Sequence, residues 1–206
     1  MTKGGDCVAN TLDSIYGGYK SSSSYNSTSS SYAYGMWNDQ PDNQHSADQI
    51  YAHSKGIFQT DDRQGFYLIH SMPSFPAPRK DGYQRLPDQT YGQSFLCLTV
   101  NINQIDMLGQ DLKTMHVFPF DFDIPKGLAG KMPNMVDAMN RVEDKVNQTR
   151  KTSFKTVKGR SFRHFSKGRH WGKDLYEDFV AKELSSDLGS NTWQVRAAQR
   201  GGRRQL

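Results

Sequence analysis

Residues 56–70, GIFQTDDRQGFYLIH, carry the pattern that most directly determines the fold. Two runs rich in β-branched and aromatic residues, 56–60 and 65–70, are typical of β-strands. The polar connection between them, residues 61–64, has a length that suits a β-hairpin. We therefore predict that the two runs pair with each other as neighbouring antiparallel strands.

Alternating strand and helix patterns extend on both sides of this hairpin. Strands are predicted over residues 32–37, 91–100 and 115–122, and helices over 134–146 and 174–188. Because residues 91–100 are almost continuously apolar, we expect a buried strand there, with a buried thiol at Cys97. Asn103 is expected to cap a further helix. Strands mixed with helices indicate a layered α/β or α+β fold.

The positive charge of the chain is concentrated in one segment. The formal net charge is +5, and residues 145–173 contain ten lysines and arginines with no aspartate or glutamate. Such a block is either a solvated surface or a surface that meets a polyanion. Nucleic acid is the leading functional alternative, because lysine and arginine contacts to phosphates supply most non-specific affinity.

Several classes of protein are disfavoured by what the sequence lacks. No apolar run approaches the roughly 20 residues that span a bilayer, so no membrane partner is expected. Residues 1–6 lack the apolar core of a signal peptide. The sequence has no glycine-rich phosphate loop, no His-Glu-x-x-His and no acidic cluster suited to two metals, so we expect neither metal nor cofactor.

His53 and Lys55 are the candidate catalytic pair. If residues 52–56 are extended, side chains two positions apart point to the same side. An imidazole can then attack phosphorus while the ammonium stabilises charge on the phosphoryl oxygens. His70, at the end of a predicted strand, either satisfies backbone groups or contacts phosphate or base beside His53. The remaining candidates, His164 and His170, are expected to be solvated.

Several segments, taken in order, resemble the deoxyribonuclease II family. The resemblance covers about residues 11–193, and its motifs are Trp37-Asn38-Asp39-Gln40-Pro41, Ala52-His53-Ser54-Lys55-Gly56, Gly65–Pro76, Thr90–Cys97, Phe165-Ser166-Lys167 and Gly172–Tyr176. It implies a phospholipase D-like α/β fold, a mixed sheet flanked by helices, in which two similar halves each present a His-x-Lys. This chain would hold one full half and part of the second.

The resemblance also implies a chemistry. One histidine attacks the phosphodiester and a second protonates the leaving 5′ oxygen, without metal, at acid pH, leaving 3′-phosphates. Here His53 and Lys55 are the implied catalytic residues, Asn38 and His70 bind substrate, and double-stranded DNA is the partner. A lysosomal or secreted location is implied.

The family's second His-x-Lys has no counterpart in this sequence, which leaves three interpretations open. Two chains could restore the pair as a homodimer, the chain could be an inactive DNA-binding remnant, or it could be a structural fragment. The expected organisation is a partly ordered segment over 1–19, a serine-rich loop over 20–31, the deoxyribonuclease II-like domain over 32–193 and a disordered basic tail over 194–206.

Overall fold

A computed structural model describes residues 7–20, 31–41, 50–84, 86, 90–146 and 148–189. The chain divides into two compact units, Met1–Gly172 and Lys173–Leu206. The expected serine-rich loop, apart from residues 20 and 31, and the expected basic tail lie outside the described residues.

Five strands form the central sheet of the first unit. They are β1 (Ala33–Asn38), β2 (Lys55–Thr60), β3 (Gln64–His70), β4 (Phe95–Asn101) and β5 (Pro119–Asp123), in the order β4-β3-β2-β1-β5. The predicted hairpin is confirmed as β2–β3, and the α/β class is confirmed. Every pairing in this sheet is antiparallel, however, so the described strands do not form the expected mixed sheet. The short β2–β3 connection leaves no room for the crossover that a parallel pair needs.

Helices cover both faces of the sheet. Helix α1 (Cys7–Lys20) packs Leu12 and Ile15 on one face, within the segment expected to be only partly ordered. The other face meets α2 (Ile102–Met115), α3 (Lys126–Ala129) and α4 (Pro133–Met139). Because successive strand residues point to opposite faces, neighbours such as Met36 and Trp37 enter different cores. Strands β1 and β2 are therefore buried on both faces.

Two local predictions around α2 were wrong. Asn101, not Asn103, caps the helix: its side chain accepts from the Gln104 amide at 3.0 Å, and Gln104 Oε1 accepts from the Asn101 amide at 3.1 Å. The preceding strand, β4, lies at the edge of the sheet, and Cys97 is exposed. Only alternate residues of β4, such as Leu98, reach the helices, so its continuous apolar run does not make it a fully buried strand.

The basic segment folds into a hairpin that the sequence analysis did not predict. Strands β6 (Thr149–Lys155) and β7 (Ser161–Lys167) pair with each other and pack on α2. The carboxylate of Asp111, fully buried on α2, accepts from Thr152 at 2.7 Å and from Arg150 at 3.1 Å, and contacts His164 Nδ1 at 2.9 Å. His164 is therefore not the solvated side chain that was expected.

The described part of the second unit, residues 173–189, contains one helical segment. A π-helical turn (Tyr176–Val180) continues into α5 (Ala181–Leu184), within the helix predicted over 174–188. At the start of this helical segment, the side chain of Asp174 accepts hydrogen bonds from the amides of Tyr176 and Glu177. No helix among the described residues is long and apolar enough to cross a bilayer.

Candidate active site

Three polar side chains meet at one end of the central sheet. Asn38 pairs with Lys55 across β1 and β2, and Gly56 pairs with Ile69, so His70 follows beside Lys55. Residues directly opposite each other on neighbouring strands share a face. Asn38, Lys55 and His70 therefore lie in a row on the face that also carries α1.

A carboxylate that the sequence analysis did not select joins the candidate pair. Lys55 Nζ donates a hydrogen bond to Oδ1 of Asp39, and His53 Nε2 lies 3.6 Å from Oδ2 of the same residue. The side chains differ in exposure: 3% for Lys55, 16% for Asp39 and 74% for His53. His53 and Lys55 thus approach one carboxylate, with the imidazole towards solvent and the ammonium beneath it.

The carboxylate explains how an ammonium can be buried at this point. A charged group removed from water is costly unless it is paired and hydrogen-bonded. Asp39 neutralises Lys55, and a protonated His53 then adds one net positive charge to the cluster. The three groups together therefore attract an anion most strongly when His53 is protonated.

Contacts on both sides of His53 fix the backbone that carries it. The Ala52 amide donates to the carbonyl of His116 at 3.1 Å, and the Trp37 indole donates to Ser54 Oγ at 3.1 Å. The Tyr51 ring packs on the His116 ring with centroids 4.7 Å apart. His116 adopts a left-handed conformation (φ 59°) at the end of α2, which turns its carbonyl towards this loop. The exposed imidazole therefore projects from an anchored segment.

Asn38 is fully buried and its side chain is occupied by backbone groups. Its Nδ2 donates to the Phe75 carbonyl at 2.7 Å, and its Oδ1 accepts from the Gln40 amide at 2.7 Å. These bonds hold the turn after β1 and so fix the position of Asp39. A direct contact between Asn38 and substrate stays a prediction.

His70 is buried beside Lys55 and remains uncharged at mildly acidic pH. Burial, and then the Lys55 cation, lower the pKa of His70 to about 4, although the Met72 backbone opposes the shift. The ring stacks on Phe95 with centroids 5.5 Å apart and meets Phe75 edge-on at 5.4 Å. Among the described residues, neither ring nitrogen has a partner at hydrogen-bonding distance and angle. His70 is thus a neutral imidazole held in an aromatic setting.

Asp39 was the functional candidate missed from sequence, although a signal existed. It follows Asn38 in the turn that ends β1, and the register places that turn against the start of β2. Only the strand order reveals that this turn faces His53 and Lys55. No group of three or more potential metal-ligating side chains occurs among the residues described.

The whole sequence is similar to known nucleases. It matches the deoxyribonuclease II family over residues 1–201. It is 34% identical over 191 residues to Plancitoxin-1 of Acanthaster planci, covering 91% of this chain and 51% of that protein. Identity is 30% over 176 residues with deoxyribonuclease-2-alpha of Mus musculus, covering 82% and 50% respectively.

A further relative extends the range of organisms. Cell death-related nuclease 6 of Caenorhabditis elegans is 35% identical over 144 residues, covering 68% of this chain and 37% of that protein. The chain therefore spans between 37% and 51% of the length of these curated relatives.

Proposed function

Because the chain belongs to the deoxyribonuclease II family, we propose that it acts as an acid endodeoxyribonuclease on double-stranded DNA. The proposed reaction needs no metal ion and leaves 3′-phosphate ends. The observation that carries the proposal is the convergence of His53 and Lys55 on the carboxylate of Asp39.

His53 is the proposed nucleophile. With a proton held on Nε2 towards Asp39, the lone pair lies on Nδ1, and the largely exposed ring can approach a phosphodiester. Attack forms a nitrogen–phosphorus bond and breaks the bond from phosphorus to the 5′ oxygen. Water then releases the 3′-phosphate and restores the imidazole. Lys55 supplies positive charge beneath the reacting phosphoryl group.

The leaving 5′ oxygen needs a proton, and His70 is a poor source of it. With a pKa of about 4, only about one-tenth of His70 is protonated at pH 5. We therefore assign the general acid to a second His-x-Lys, as in a phospholipase D-like fold with two half-sites. In an assembly built from this chain alone, a second copy related by twofold symmetry supplies it.

Plasmid nicking tests the proposal. Supercoiled DNA is incubated with protein in EDTA at about pH 5, comparing the wild type with His53→Ala and with His170→Ala as a control at an exposed histidine. Loss of the nucleophile should lower the rate by at least about 1,000-fold, and the control should retain it. Equal nicking by wild type and His53→Ala would reject the role of His53.

The homodimer has its own test. Sedimentation equilibrium should show a dimer at the protein concentrations where DNA is nicked, and the rate per chain should rise with concentration. A monomer that nicks at a constant rate per chain would contradict the shared site.

A DNA-binding protein without nuclease activity is the second candidate function. The basic segment over residues 145–173, which contains no acidic residue, favours it. It predicts salt-sensitive retention of DNA with no nicking by the wild type.

The proposed location is a lysosomal or secreted compartment, in keeping with the acid reaction. Fractionation of the native protein, followed by immunodetection in lysosomes and medium, tests this location.

A further inference from the structure

The β6–β7 hairpin presents two chemically different faces. Its inner face is fastened to α2 through Asp111, as described above. On the opposite side lies what we call the outer face, formed by Ser153, Lys155, Ser161 and Arg163. All four of these residues are exposed. Anchoring one face fixes the direction in which the other points.

Cations and hydroxyl groups alternate across the outer face. Lys155 pairs with Ser161, and Arg163 pairs with Ser153, so each cation has a serine directly opposite. Like charges directly opposite each other on neighbouring strands are destabilising, and this arrangement avoids them. The two cations therefore occupy diagonal rather than directly opposite positions.

The four side chains of the outer face have no protein partner among the described residues. None makes a hydrogen bond or ion pair there, and residues 149–167 contain no aspartate or glutamate that could neutralise them. Together with Phe154 and Phe162, these four residues line a pocket. A pocket with two cations and two hydroxyl donors is chemically suited to a phosphate group.

We propose that the outer face binds a backbone phosphate of double-stranded DNA, and so forms a docking surface separate from His53. This inference rests on the proposed function, which makes DNA the substrate. Lys158 and Arg160, both exposed in the connecting turn, extend the positive surface along the same hairpin. Lysine, arginine and serine contacts to phosphates position a duplex without reading its sequence.

Duplex binding by the Lys155→Gln/Arg163→Gln variant tests the proposal. Fluorescence anisotropy with a labelled duplex is measured at several salt concentrations, in a His53→Ala background that keeps the DNA intact. Loss of the contact to one phosphate should reduce the slope of log affinity against log salt by about 1. At 0.15 M salt the corresponding loss of affinity is about 5-fold.

A variant with the same change of charge provides the control. Lys80→Gln/Lys126→Gln removes two exposed cations elsewhere in the first unit. This variant should keep the salt slope of the wild type, and its affinity should change by no more than about 2-fold. Thermal unfolding should show that both double variants remain folded. Equal effects of the two variants, or an unchanged slope for Lys155→Gln/Arg163→Gln, would overturn the proposal.

The two proposals can fail separately. If the wild type does not nick DNA but the outer-face variant still loses affinity, the nuclease function is rejected and the docking surface is supported. If the outer-face variant instead changes only the sedimentation coefficient, a second copy covers this face and the DNA-docking proposal is rejected.

Discussion

Lys55 donates a hydrogen bond to Asp39, and this bond joins the start of β2 to the turn that follows β1. The ammonium is almost completely buried, whereas the carboxylate retains 16% exposure. The same carboxylate lies beside the exposed ring of His53. The pair therefore links the stability of this end of the sheet to the position of the proposed nucleophile.

Replacing Asp39 with Asn should destabilise the protein and reduce nicking. The substitution leaves the Lys55 cation buried without a counter-charge, which costs about 3–5 kcal/mol. Chemical denaturation measures the free energy of unfolding. Asp137→Asn is the control: Asp137 is 47% exposed and pairs with Lys113, and its loss should cost at most about 1 kcal/mol.

A second substitution separates charge burial from other effects of Asp39→Asn. Lys55→Met removes the buried cation, so the double variant Asp39→Asn/Lys55→Met should recover most of the lost stability without recovering nicking. Additive losses of stability in the double variant would show that the two side chains do not act as a pair.

His70 should make the protein less stable as the pH falls from 6.5 to 4. Its pKa is about 4 in the folded chain, so in this window the unfolded chain binds the proton and the folded chain does not. The free energy of unfolding then falls by about 3 kcal/mol from this residue. His70→Phe should remove that dependence and keep the ring stacked on Phe95. Chemical denaturation of the wild type and of His70→Phe across pH 4–7 measures this pH dependence of the free energy of unfolding. The control His170→Phe, at an exposed histidine, should leave the pH dependence unchanged.

Gly56 should tolerate no side chain. A β-carbon there would overlap the Trp37 ring and the Leu68 carbonyl oxygen. We expect Gly56→Ala to destabilise the protein by about 1–3 kcal/mol, and to reduce nicking because Trp37 holds Ser54 beside His53. Calorimetry and the nicking assay check both effects. Gly92→Ala, which meets open space, should be neutral, and equal melting of the two variants would contradict the packing described here.

Asp111 should control the attachment of the β6–β7 hairpin to α2. Asp111→Asn removes the charge that faces Arg150 and His164 from a fully buried position, at a cost of about 3 kcal/mol. Hydrogen exchange of residues 149–167 should accelerate more than that of β2 and β3. Asp62→Asn, at an exposed ion pair with Lys131, should leave the exchange unchanged. Uniform acceleration across the protein would contradict a specific anchoring role.

Local pattern was sufficient for the central elements of the fold. The runs around residues 56–60 and 65–70 predicted β2 and β3 because strand propensity and turn length agreed. The family resemblance rested on motifs spread along the chain, and it is confirmed. By contrast, the sequence analysis did not predict β6 and β7. Their many cations obscure the alternation of apolar and polar residues that is typical of a strand.

The parts of the site that could not be predicted depend on strand order and burial. Asp39 acquires its role only because β1 and β2 pair in the register that places it over Lys55. His164 looked solvated because nothing local indicates Asp111, which is 53 residues away along the chain. Likewise, the apolar run of β4 predicted a buried strand. Its position at the edge of the sheet depends on which strands pair, and local sequence does not show this.

The most direct test of the account is the identity of the residue that becomes covalently attached to DNA. A duplex with a 5′-labelled strand is mixed with protein at about pH 5 in EDTA, quenched rapidly and digested with a protease. The account predicts labelled DNA on the peptide that contains His53 in the wild type, and no adduct with His53→Ala. Label on a peptide that lacks His53 would contradict it.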